Sequence, residues 1–159
     1  MRQTMTTVRL WAVALLLMTA PLAASADDAV DIRHLMMATF DKPEAPLSVD
    51  PVTVRGDLAV AGWSQGDMGG RALLRREDEA WELSLCAGEA LREPEGLAQL
   101  GLSEAEAETM AAAVVAAEAT LDPALVAKFS SFDGVVTMSA DGEHPAAGGS
   151  TDHGATHGG

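Results

Sequence analysis

The sequence predicts an α+β domain with an N-terminal helix, an antiparallel meander of about four strands, a C-terminal helical pair and a short last strand. Between residues 47 and 87, short apolar runs alternate with turn residues, which is typical of antiparallel strands. From residue 88 the apolar spacing becomes helical and includes an Ala-rich run of high helix propensity. Residues 141–159 are rich in Gly and hold no large apolar side chain, so we expect a disordered tail after one domain of residues 27–140.

The N-terminal residues predict a cleaved export signal. Arg2 and Arg9 precede an apolar run of residues 10–20 that Pro21 ends, and the small residues 24–26 suit signal peptidase. Residues 1–26 are therefore interpreted as a signal peptide, and no later segment of the sequence is long and apolar enough to insert into a membrane. The alternative is an uncleaved N-terminal anchor, although the run is short for a membrane span.

The first helix is expected to begin at Asp27 or Asp28, because a carboxylate there would cap it, and to end before Pro43. His34 and Met37 lie three residues apart on one helical face and could together hold one metal ion. Methionine at helical spacing is more often a gap-filling core residue, so packing is the favoured role.

The strands of the meander are inferred from short runs in which successive side chains are expected to point to opposite faces of the sheet. In the fourth strand of the meander, Trp81, Leu83 and Leu85 are expected to point to one face of the sheet and Cys86 to the other. The segments assigned to the strands are residues 52–54, 58–65, 71–75 and 81–86.

Two sulfur-containing residues of the meander are candidate metal ligands. Met68 falls in the Gly-rich loop predicted for residues 66–70, where its thioether is either a soft ligand or a side chain folded over the sheet. Cys86 is interpreted as a small buried core residue, with a thiolate ligand or redox thiol as the alternative. As the single cysteine of the chain, it cannot form an internal disulfide.

The helical pair and the last strand are predicted from capping signals. Ser103 and Glu106 have the spacing of a capping box that opens the Ala-rich helix. Asp122 followed by Pro123 is typical of the start of another helix. A last strand is expected within residues 135–138.

The tail contains His144, His153 and His157 among acidic residues. Imidazole is a good ligand for copper, zinc and nickel, so the tail is a candidate metal-binding segment. A solvated polar tail is an equally good interpretation of this composition, because flexible glycines provide no preformed geometry.

The charge of the chain excludes some partners. The 24 acidic residues and 10 Lys and Arg give a net charge of −14, and signal cleavage would change it to −16. Such a surface disfavours nucleic acid, whose phosphates bind clustered Lys and Arg, and it attracts cations. No nucleophile elbow, phosphate loop or zinc-protease motif is present in the sequence, so we predict a protein that is not an enzyme.

Residues 52–91 resemble the copper uptake system-associated proteins, a family of small exported bacterial proteins, and the resemblance extends over most of the chain from Asp28 to Met138. The similarity rests on the order of several short pieces along the chain, which are Ala61-Gly62-Trp63, Gly69-Gly70-Arg71, Trp81 and Leu85-Cys86. It implies a periplasmic protein that binds copper ions or helps to deliver them for uptake and homeostasis. The partner would be a membrane copper transporter or a periplasmic copper chaperone.

Two further interpretations stay open. A helix followed by a curved meander also looks like the cystatin-like folds, an analogy that carries no function. The alternative function is a periplasmic protein-interaction module with no direct metal role, because the predicted core contains no compact set of ligands.

Overall fold

The computed structural model describes residues 22–138, and it confirms the α+β class. A short 3-10 turn, Glu89–Leu91, follows the fourth strand. The other elements are, in order, α1 (Leu22–Phe40), β1 (Leu47–Arg55), β2 (Leu58–Gln65), β3 (Met68–Glu77), β4 (Ala80–Ala87), α2 (Pro94–Gln99), α3 (Glu104–Glu118), α4 (Pro123–Ser130) and β5 (Val135–Thr137).

The five strands of the described chain form one antiparallel sheet in the order β1-β2-β3-β4-β5. Helix α1 packs on one face through Ile32 and Met36, whereas α2, α3 and α4 cover the other face. A cystatin-like arrangement of one helix on a curved sheet therefore describes only half of the molecule. The sheet lies between two apolar layers, which explains why β2 is buried along most of its length.

Helix α1 begins at Leu22, before the predicted cleavage site, rather than at Asp27 or Asp28. The Asp28 carboxylate does not cap the helix but accepts hydrogen bonds from Arg76 at 2.7 Å and from the Trp81 indole nitrogen at 3.2 Å. The guanidinium of Arg76 lies 4.4 Å from the centre of the Trp81 ring. Asp28 therefore joins α1 to β3 and β4.

The β2–β3 hairpin is tighter than the sequence predicts. Met68 pairs with Gln65 as the first residue of β3, so the loop is reduced to Gly66 and Asp67. Gly66 has a φ of +59°, which a two-residue hairpin turn requires of its first position. The expectation that residues 66–70 form one loop is wrong for Met68 and the two glycines after it.

Strand β4 contains an irregularity that the alternation pattern does not reveal. Leu73 pairs with Leu85 but Leu74 pairs with Leu83, so Ser84 is the extra residue of a β-bulge. Beyond a bulge the side chains change face. Leu85 therefore packs beneath the α2–α3 layer, whereas Cys86 lies on the same side as Trp81. The predictions that Leu85 shares a face with Trp81 and that Cys86 lies on the other face are both wrong.

On the face of the sheet opposite α1, helices α3 and α4 begin where the capping residues predict. The Ser103 hydroxyl accepts from the Glu106 backbone N–H, and the Glu106 carboxylate accepts from the Ser103 backbone N–H at 2.9 Å, which completes the capping box. The Asp122 carboxylate accepts from the Ala124 N–H at 2.8 Å and opens α4. No helix within residues 22–138 has the length and apolar character that crossing a membrane requires.

Candidate metal site

A pocket of about 180 Å³ opens between α1 and the sheet, at the end where the β2–β3 hairpin turns. Its lining is almost entirely apolar, and four of the side chains carry sulfur. Gln65 is the one amide among the lining residues. We call this cavity the sulfur pocket. Its sulfur-containing residues are Met36, Met68, Cys86 and Met138, and the rest of its lining is Phe40, Leu47, Trp63, Gln65 and Phe132.

The four sulfur residues come from separate elements of the fold. Met36 lies on the buried face of α1, and Met68 begins β3. Cys86 lies in β4 opposite Val136 of β5, and Met138 follows two residues later, so strand alternation puts both on the pocket side. The Met138 backbone N–H donates to the Ser84 carbonyl at 2.9 Å, which continues the pairing just past β5.

Exposure differs sharply within the sulfur pocket. Met36 is 2% exposed and Cys86 is 5% exposed, whereas Met68 is 62% exposed at the rim. Met138 is partly buried against the same core. The pocket therefore has two enclosed sulfur residues at its base and one open thioether at its mouth.

Burial raises the pKa of the Cys86 thiol to about 11, because an apolar environment disfavours the thiolate. The indole N–H of Trp63 lies close enough to lower that pKa, but this effect is smaller than that of burial. Trp63 is only 8% exposed, and its Nε1 makes no well-formed hydrogen bond to any residue within 22–138. A thiolate at Cys86 would provide this buried donor with an acceptor.

The rim of the pocket is held by side chains on both faces of the sheet. The Gln65 amide donates to the Phe40 carbonyl at 2.8 Å and to the Ala45 carbonyl at 2.7 Å. From the other face, the Lys128 ammonium donates to the Gly66 carbonyl at 3.0 Å. These bonds fix the backbone of the hairpin on which Met68 lies.

An edge-to-face aromatic pair forms another wall. The rings of Trp63 and Phe132 are 5.7 Å apart at 77°. Gly70 makes this pair possible, because a Cβ there would lie 3.0 Å from atoms of both rings. Small residues in β3 thus provide the space for the aromatic wall of the pocket.

The residues predicted as candidate ligands divide into three groups. Met68 and Cys86 meet in the sulfur pocket, and Cys86 is buried as expected. His34 is exposed and Met37 is 41% exposed, and neither lines the pocket. The packing role favoured for this pair is therefore wrong, and the buried methionine of α1 is the neighbouring Met36.

The third group consists of His144, His153 and His157, which lie outside the described residues. Within residues 22–138 no group of three or more His, Cys, Asp or Glu side chains could hold a metal ion. The donors that do converge in the described chain are thus mainly thioethers. The sequence did not identify Met138 as a candidate ligand. Its position two residues after Val136 nevertheless predicts that both side chains point to the same face of the last strand.

Comparisons with known protein families, with curated proteins and with solved structures found no significant match to this chain. The resemblance to copper uptake system-associated proteins thus stays a prediction.

Proposed function

We propose that the protein is an exported, periplasmic copper-binding protein that holds copper for uptake or homeostasis and is not an enzyme. The observation that carries the proposal is that four sulfur-containing side chains, from α1, β3, β4 and the segment after β5, line one pocket. Three thioethers and a thiol form a soft donor set, and soft donors suit Cu(I), zinc and iron–sulfur clusters.

The charge balance of the pocket also favours a monovalent ion. Cu(I) carries one positive charge and the Cys86 thiolate one negative charge, so their complex is neutral. A neutral complex avoids the large cost of burying net charge among apolar side chains, whereas a divalent ion would leave one charge uncompensated. On binding, a Cu–S bond replaces the S–H bond of Cys86, and the proton passes to solvent.

Two features of the sequence agree with this function. The acidic composition raises the local concentration of cations near the protein. The histidines of the tail would capture Cu(II), for which imidazole is a suitable ligand. The copper would be passed to a membrane copper transporter or a periplasmic chaperone, as the family resemblance implies.

Copper titration of residues 27–159 tests the proposal. Under anaerobic conditions, competition with the Cu(I) chelator bicinchoninate should reveal a single Cu(I) equivalent that survives replacement of His144, His153 and His157 by Asn. Cys86→Ser should lower the Cu(I) affinity by roughly tenfold or more, since even partners beyond the direct ligands contribute about that much to metal affinity.

Met37→Leu is the matched control, because Met37 lies beside Met36 but outside the pocket. It should leave Cu(I) binding unchanged. A chain that binds no Cu(I), or one whose Cu(I) binding is unaffected by replacement of Cys86 and Met36, would exclude the pocket as the copper site.

A further inference from the structure

We propose that Met68 is the exchangeable ligand of the sulfur pocket. Its thioether closes the copper site, and its departure opens a coordination position that an acceptor with a soft sulfur donor then occupies. The inference rests on the proposed function, and it assigns separate roles to the four sulfur residues. Met36, Cys86 and Met138 retain the ion, and Met68 controls its exchange.

Accessibility is the first support for this assignment. An incoming ligand must reach the ion from solvent, and Met68 is the sulfur residue at the open rim, at 62% exposed. Met36 and Cys86 are 2% and 5% exposed and Met138 is partly buried, so an acceptor that comes from solvent meets Met68 first.

The fixed backbone of the hairpin is the second support. Gln65 bonds to the carbonyls of Phe40 and Ala45, and Lys128 bonds to the carbonyl of Gly66. The Cα atom of Met68 is therefore held in place, while its unbranched side chain rotates about three bonds. The thioether can leave the ion and return without any change in the fold.

Charge explains why the thioether rather than the thiolate should leave. Departure of the neutral Met68 sulfur separates no charge. Departure of the Cys86 thiolate would leave a cation and an anion unpaired in an apolar pocket, which is costly. The buried Trp63 N–H beside Cys86 further favours the bound thiolate, since Trp63 Nε1 has no other well-formed partner within the described chain.

These properties define the chemistry of the acceptor. It presents a thioether or thiolate that can approach the exposed Met68 at the rim of the pocket. In the exchange the bond between Cu(I) and Met68 breaks and a bond between Cu(I) and the acceptor sulfur forms. Copper stays Cu(I), so the step needs no electron donor.

The rate of Cu(I) release from loaded residues 27–159 to excess bicinchoninate tests the assignment. In the native chain Met68 must leave first, so the rate should level off as the chelator concentration rises. In Met68→Leu the position is already open, so release should be faster by roughly tenfold, in line with the effect of single groups around metal sites. Its dependence on chelator concentration should become linear.

Met37→Leu again serves as the control, because it is the same substitution at another exposed position, and it should retain the native rate and its plateau. Both variants should unfold at the native temperature, since neither side chain is buried. Unchanged or slower release from Met68→Leu would overturn the inference while leaving copper binding intact. Absence of Cu(I) binding in the native chain would instead overturn the proposed function.

Discussion

Arg71 and Glu118 form a buried bidentate ion pair that joins β3 to α3. Arg71 Nε lies 2.6 Å from Glu118 Oε1, and Nη2 lies 2.8 Å from Oε2. Arg71 also donates to the Gly88 carbonyl at 3.1 Å, and its guanidinium lies 5.8 Å from the centre of the Phe129 ring. The side chains of the pair are 0% and 2% exposed, so the pair fixes the helical layer opposite the sulfur pocket.

Removal of one member of this pair should strongly destabilise the fold. Glu118→Ala leaves the Arg71 charge buried without its main partner, and we expect a loss of about 3–5 kcal/mol in the free energy of unfolding. Urea denaturation at pH 7 measures it. The double variant Arg71→Met with Glu118→Leu should lose less, because apolar pairs of similar volume often replace buried ion pairs at little cost.

An effect of Glu118→Ala below about 1 kcal/mol, the value typical of exposed ion pairs, would contradict the buried geometry.

The Cys86 thiol of the metal-free protein should react slowly at neutral pH. Burial raises its pKa to about 11, and the thiolate is the reactive form. The alkylation rate with iodoacetamide should therefore increase about tenfold per pH unit between about pH 7 and pH 10, following the thiolate fraction. In the urea-unfolded chain the rate should level off near the ordinary thiol pKa of about 8.5. A plateau at that lower pH in the folded protein would show that the thiol is not buried.

Asp28 should stabilise the protein in a pH-dependent way. The hydrogen bond from Arg76 is the main cause that lowers the pKa of Asp28 below its usual 3.8. A lowered pKa in the folded state contributes stability above the unfolded-state value, and this is lost as the pH falls through the folded-state value. Asp28→Asn should therefore lose about 1–3 kcal/mol at pH 7, the scale of hydrogen bonds to charged groups.

The difference between the native chain and Asp28→Asn should decrease below pH 3.8 and disappear at lower pH. Urea denaturation across this range provides the measurement. Asp31→Asn, an exposed substitution on the same helix, is the control and should change little at any pH. Equal losses from the two variants would mean that the bond to Arg76 does not stabilise the fold.

Gly70→Ala should disturb the sulfur pocket. The added methyl group would lie 3.0 Å from atoms of Trp63 and Phe132, so the aromatic wall must shift. We expect lower Cu(I) affinity by bicinchoninate competition and a loss of about 1–3 kcal/mol in stability, as for other overpacked sites. Gly62→Ala overpacks the opposite face against Phe129 at 2.8 Å, and it should destabilise the protein without altering Cu(I) affinity. Equal effects of both variants on copper would indicate a general loss of folding.

The order of elements was predictable because local chemistry determines it. The capping box at Ser103, the Asp122 cap and the apolar alternation in β2 each act over a few residues, and all three are present. The face of Leu85 was not predictable, because the bulge at Ser84 depends on how β4 pairs with β3.

The candidate site was only partly predictable for a similar reason. Met68 and Cys86 stand out by residue type, but Met36 and Met138 join them only through packing of α1 and β5 against the sheet. Met37 appears equivalent to Met36 in sequence, and only the orientation of α1 separates the buried methionine from the exposed one. The buried pairing of Arg71 likewise depends on a residue in α3.

The sulfur pocket joins the two ends of the described chain. Met36 comes from its first helix and Met138 is its last residue, so the pocket is lined by residues from opposite ends of the described chain. Packing of this kind requires long loops to close, which slows folding. The pocket is therefore a property of the completed domain. Until α1 and β5 have both packed against the sheet, a soft metal ion would meet only part of the four-sulfur set.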